Sequence, residues 1–117
     1  METKIKGLKK NHLYEQAREL LEPIKDQAAQ NARDLAECYY KDFELPKEYS
    51  YPKALDTLKE ITPDIEDDPG ETLCLKGAIY KRKWENEKNL SDLYAAIGSY
   101  KASYEQYNPK DSYYGAD

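Results

Sequence analysis

The sequence predicts an all-α protein, a solenoid of about three antiparallel helix pairs followed by a short C-terminal stub. Three observations predict it. A helix face is spelled twice: "YEQARELLEPI" from Tyr14 and "YPKALDTLKEI" from Tyr51 both carry Tyr, Ala, Leu and Ile at offsets 0, 3, 7 and 10. A weaker third copy sets Leu93, Ala96, Tyr100 and Ser103 at the same offsets, which track one stripe of a helix. The alanines at the second position, Ala17, Ala54 and Ala96, recur at steps of 37 and 42 residues, a period that marks stacked helix pairs. Composition agrees: valine is absent, Phe43 and Trp84 are single, and Ala, Leu, Lys, Glu and Tyr dominate, whereas strands favour β-branched residues. With 39% hydrophobic and 35% charged residues and a mean hydropathy of -1.03, each helix hides only one stripe in a thin two-layer stack.

The elements follow in order. A short helix over about Glu2 to Lys10 leads through Asn11 and His12 into a helix from Tyr14 to Ile24, with Pro23 bending or ending its last turn. A longer helix spans about Asp26 to Phe43, with Ala32, Leu35, Ala36 and Tyr39 on one face. "ELPKEYS" reads as a loop in which Ser50 caps the next helix ahead of Tyr51 and Pro52. That helix stops before "TPDIEDDPG", whose "EDD" lacks the spacing and glycine of a calcium loop. Asp68, Pro69 and Glu71 instead form a capping box for a helix that runs to about Trp84. A loop, "NEKNLSD", precedes the last full helix, Asp92 to Tyr107, and "NPKDSYYGAD" is a turn with the start of another helix. Gly77, inside a helix, costs about 1 kcal/mol relative to alanine, so it implies close approach of the partner helix near Ala96.

Several function classes are disfavoured. A net charge of -5 argues against general nucleic-acid binding, which draws on an excess of positive charge. No run of 18 apolar residues is present, and "METKIKGLKK" lacks a signal peptide's apolar stretch, so a cytoplasmic location is expected. Cys38 and Cys74 read as buried small hydrophobes kept reduced, and with His12 as the single histidine no metal site or cofactor is expected. No nucleophile has a partner base and no glycine-rich phosphate loop exists, so no enzyme is expected. Glu85 and Glu87 beside Trp84 read as a loop with an aromatic anchor rather than an acid/base pair. Of the 12 tyrosines, Tyr100 and Tyr104 read as packing, while Tyr113 and Tyr114 stay open between a recognition surface and a partial lid.

Gly77 and Tyr80 three apart, then Ala96 and Tyr100 four apart in the next helix, then Pro109, resemble the tetratricopeptide (TPR) pattern. Ala36, Tyr39, Ala54 and Leu58 repeat it in the second pair, and Ile5, Leu8, Ala17 and Leu21 more loosely in the first. Pro109 arrives one residue late, and the turns within pairs read longer than the family's by about half a dozen residues. "ETLCLKGAIYKRKWE", with "AIGSYKASYEQYNP" and "SYYGAD", is similar to the TPR-type region called the TRAF-binding domain, found in apoptosis signal-regulating kinases and in many bacterial TPR proteins. This likeness covers about Leu35 to Gly115. It implies a right-handed α-α superhelix and a regulatory or scaffolding role in protein binding, within a longer protein. No kinase motif is present, so no kinase activity is implied.

In TPR proteins the first helix of each pair lines a concave groove. Here that resemblance selects Lys6, Lys9 and Lys10, then Arg33, Glu37, Tyr40 and Lys41, then Glu71, Cys74, Ala78, Lys81 and Arg82. The set is mostly basic in an acidic chain, so the expected partner is an acidic protein segment whose binding weakens with salt. The lysine-and-asparagine clamp that some TPR domains use for a C-terminal carboxylate is not visible. The alternative is a helical sensor that binds a small anionic ligand and regulates a linked effector enzyme. The short stub after Tyr107 is too small to cover a whole helix face. An apolar strip near Ala96 to Tyr107 is therefore expected to be exposed and to support self-association.

Overall fold

A computed structural model of the chain describes residues 2–107. All regular structure among them is helical: α1 (Glu2–Lys10), α2 (Tyr14–Leu21), α3 (Ala29–Tyr40), α4 (Lys47–Lys59), α5 (Pro69–Glu87) and α6 (Leu90–Tyr107). A single 3-10 turn, Glu22–Ile24, follows α2. Consecutive helices pack as pairs, in the manner of TPR repeats. The chain divides into two compact units, Met1–Glu66 and Asp67–Asp117. The expected stub, with Pro109, Tyr113 and Tyr114, lies outside the described residues.

In the first unit the repeated motif is the core. Tyr14, Ala17 and Leu21 of α2 are buried, as are Tyr51, Ala54 and Leu58 of α4, and both alanines are fully enclosed. They meet α3, whose Leu35, Ala36 and Cys38 are equally enclosed. The small alanines let neighbouring helices approach, and each buried leucine contributes roughly 2 kcal/mol of apolar transfer. Tyr39 is held from two sides, with the Arg18 guanidinium 5.3 Å and the Lys53 ammonium 5.8 Å from its ring centre. Burial, then the neighbouring Glu22 carboxylate, pushes its phenol up to about 12.

Several helix boundaries differ from the sequence reading, and α3 also ends at Tyr40, ahead of Phe43. Pro23 sits inside the 3-10 turn Glu22–Ile24 that follows α2, and α3 begins only at Ala29. Ser50 is not a cap: α4 begins a turn earlier with Pro46 at its N-cap, and the Tyr49 and Ser50 amides donate to the Pro46 carbonyl. Pro52 then lies inside α4, where its missing N–H deprives only the carbonyl of exposed Glu48. Helices α5 and α6 also extend into the expected loop, leaving residues 88–89 between them. Lys88 makes that tight turn in the left-handed region at φ 58°, donating its amide to the Trp84 carbonyl and laying its ammonium 4.9 Å from the indole centre. The turns within pairs are accordingly shorter than expected.

In the second unit three contacts fix α5 against α6 as an antiparallel pair. The Lys83 ammonium donates to Asp92 at 3.1 Å near the turn. The ring of Tyr100 covers Gly77 midway. The Ser103 hydroxyl donates to the Gly70 carbonyl at 2.6 Å at the far end, a buried bond that satisfies both groups. The capping box is present on its Asp68 side, whose carboxylate accepts from the Glu71 amide at 3.1 Å.

Candidate functional site

The residues selected for the groove fall on α1, the α3 region and α5, the first helices of the three pairs. Within the first unit three of these cations, Lys9, Arg33 and Lys41, are engaged by carboxylates. Lys9 donates to Asp34 at 2.8 Å and lies 3.3 Å from Glu37, tying α1 to α3. Burial alone would lower the Lys9 pKa, but the hydrogen bond and charge of Asp34, with Glu37, outweigh it and raise it. Lys41 also reaches Glu37, at 3.4 Å, and sits over the Tyr40 ring. Arg33 is 3% exposed and donates to Glu66 at 3.0 Å and to Gln30 at 3.1 Å. It is a structural cation, and a partner in solvent cannot reach it. Lys6 and Lys10 remain exposed on α1.

The α5 surface is different. Glu71, Cys74, Ala78, Lys81 and Arg82 share one face by their helical spacing. Lys81 and Arg82 are exposed and form no ion pair among the described residues. Tyr100 of α6 borders this face. Burial raises its phenol pKa, the nearby Cys74 raises it further, and the Arg82 charge works against both. A pair of adjacent cations beside a half-covered aromatic ring is equipped to hold an anion and to lay a planar or apolar group on the ring. Cys74 is exposed, which corrects the expectation that both cysteines are buried, whereas Cys38 is enclosed and its thiol is pushed up to about 12 by burial. A thiol held neutral in this way is no nucleophile at ordinary pH.

Among the described residues no cluster of three or more His, Cys, Asp or Glu side chains is placed to hold a metal ion. No helix among them is long and apolar enough to cross a membrane. Glu87, half of the carboxylate pair beside Trp84, is engaged by Lys83 at 3.4 Å. The face thus offers charge and an aromatic surface for binding.

A family model described as Tetratricopeptide Repeats-Sensor (TPR-S) matches residues 13–117. The chain belongs to the TPR-S family. That match covers α2 to α6 and the paired-helix packing just described. No curated protein and no solved structure matches the chain. Within this TPR-S chain the sequence did not reveal that Lys9, Arg33 and Lys41 are neutralised internally. A signal was present for Lys41, since Glu37 precedes it by four residues on one helix. For Arg33 the partner Glu66 lies 33 residues away and carries no local signature.

Proposed function

We propose that this TPR-S chain is a non-catalytic recognition module of a regulatory protein, and that its first-helix surface takes an acidic segment of a protein partner. The observation that carries this reading is the exposed Lys81–Arg82 pair on α5, beside Tyr100 and engaged in no ion pair among the described residues. Within the first unit, Lys6 and Lys10 on α1 are exposed cations of their own. The resemblance to the TRAF-binding type of TPR region supports attachment to a larger regulatory assembly. The same reading includes self-association through the exposed side of α6.

The family's designation as a sensor favours a second reading, in which a small anionic ligand occupies the same α5 face and its binding regulates a linked effector enzyme. Isothermal titration separates the two. Acidic peptides and, in parallel, nucleotides are titrated into the chain at low and high salt. Saturable, salt-sensitive heat from the peptides alone supports the partner reading, and from the nucleotides alone the sensor reading. Unchanged binding in the Lys81→Glu, Arg82→Glu double variant removes this face from either.

A further inference from the structure

A cleft of opposite charge lies in the first unit. The turn between α1 and α2 and the segment after α3 face each other across an open cleft of about 510 Å3. Its walls carry Leu13 and Tyr14 on one side and Phe43 on the other, with Glu15 and Glu44 at the rim. Phe43 is the single phenylalanine of the chain, and it is 87% exposed. Leu13 is 42% exposed. Leaving both in water forgoes transfer free energy that a chain with so few large apolar residues can ill spare.

The walls are pinned rather than loose. Arg18 donates both to Asp42 and to the Cys38 carbonyl at 2.8 Å, and Asp42 in turn accepts from the Glu44 amide at 2.9 Å. On the other side His12 adopts φ 59°, its amide bonds the Lys9 carbonyl, and its Nδ1 lies 2.9 Å from the Tyr14 hydroxyl. Two fixed segments therefore present the exposed Phe43 and Leu13 to each other's side of the cleft. Charge decides the occupant. Asp42 is neutralised by Arg18, but Glu15 and Glu44 are exposed and form no ion pair among the described residues, so the mouth is net negative.

We infer that this cleft is a docking site for a basic peptide segment of another protein, in which an apolar or aromatic side chain is flanked by lysine or arginine. The apolar side chain enters between Leu13 and Phe43, and the flanking cations meet Glu15 and Glu44. A second copy of the chain is a poor source for it. Its most basic stretch, Lys4 to Lys10, keeps Ile5 buried and Leu8 half-buried, so no apolar side chain there is free to insert.

The test uses fluorescence anisotropy with a labelled peptide of alternating lysine and phenylalanine. Controls replace its phenylalanines by alanine or its lysines by glutamate. The expected result is saturable binding of the first peptide alone, weakened at least ~10-fold by Phe43→Ser and by the Glu15→Gln, Glu44→Gln pair. All three substituted positions are exposed, so melting temperatures should stay unchanged and a lost site is not a lost fold. Binding that ignores Phe43→Ser, or no binding at millimolar peptide, overturns the inference. Self-association of the chain that Phe43→Ser abolishes would assign the cleft to a second copy and overturn it equally.

Discussion

The ring of Tyr100 rests on the bare backbone of Gly77, its Cδ1, Cε1 and Cζ each 3.0 Å from where a β-carbon would stand. The sequence places the close approach near Ala96, and the structure places it one turn further along α6. Tyr100 is 39% exposed, so its ring has room to swing outward when pushed.

Gly77→Ala therefore sets two effects of similar size against each other. Helix propensity favours alanine by about 1 kcal/mol, and displacement of the ring costs a comparable amount. The net change in stability should be small. In a Tyr100→Ala background the steric cost vanishes and the same substitution should stabilise by about 1 kcal/mol. Urea denaturation of the four proteins of the cycle checks this. Equal effects of Gly77→Ala in both backgrounds would show that the ring does not need the glycine.

Arg18 and Asp42 make a largely buried ion pair in the first unit, with side chains 13% and 9% exposed at 2.8 Å. Removing one member strands the other in a poorly hydrated site, so Asp42→Ala should cost about 3 kcal/mol. Arg18→Met, Asp42→Leu together should recover much of that loss, because no uncompensated charge remains. A double variant as unstable as the single one would contradict this account.

The repeat at Tyr14, Tyr51 and Leu93 was legible because each helix hides one narrow stripe, and a stripe is periodic in sequence. Capping by Asp68 was legible for the same reason, since it is local. The start of α4 was not, because Pro46 and Pro52 both suit a helix beginning and nothing local ranks them. The candidate site was legible as a set of charges and not as their pairing. Lys81 and Arg82 stay exposed, whereas the Arg33–Glu66 and Lys9–Asp34 pairs form across distances no pattern encodes. Tyr104 was expected to pack, yet it is 45% exposed, because α6 has a neighbour on one side only within its pair.

Alkaline pH should weaken the first unit. The Cys38 thiol rises from 9.0 to about 12 by burial, and the Tyr39 phenol from 10.0 to about 12 by burial and then Glu22. Lys9 is also raised. In each case the unfolded chain releases its proton first. Stability is therefore complete below about pH 9 and is lost as pH climbs towards about 12. Denaturant midpoints measured between those limits should fall steadily. In Cys38→Ala the decline should start about one unit later, where the unfolded tyrosine begins to ionise. A midpoint that stays flat across the window would refute the assignment.

The last expectation concerns the outer side of α6. Leu90, Tyr94, Ile97 and Tyr104 are 59%, 67%, 55% and 45% exposed, at spacings that align them along one face. The strip is thus present as expected, but it starts earlier, and Ala96 and Ser103 are covered by α5 instead. Gly98 lies beside it with nothing within 4 Å of a β-carbon position, so no contact among the described residues explains that glycine. Two copies of α6 laid antiparallel about Ile97 would set Leu90 against Tyr104 and Ile97 against its counterpart, a self-complementary pattern suited to a two-fold dimer. Analytical ultracentrifugation should show a concentration-dependent dimer that Ile97→Lys disperses without lowering the melting temperature. Gly98→Ala should raise the stability of the dispersed monomer by about 0.5–1 kcal/mol, since helix propensity is then its only effect. A chain that sediments as a monomer at every concentration would mean that this face has no affinity for its own copy.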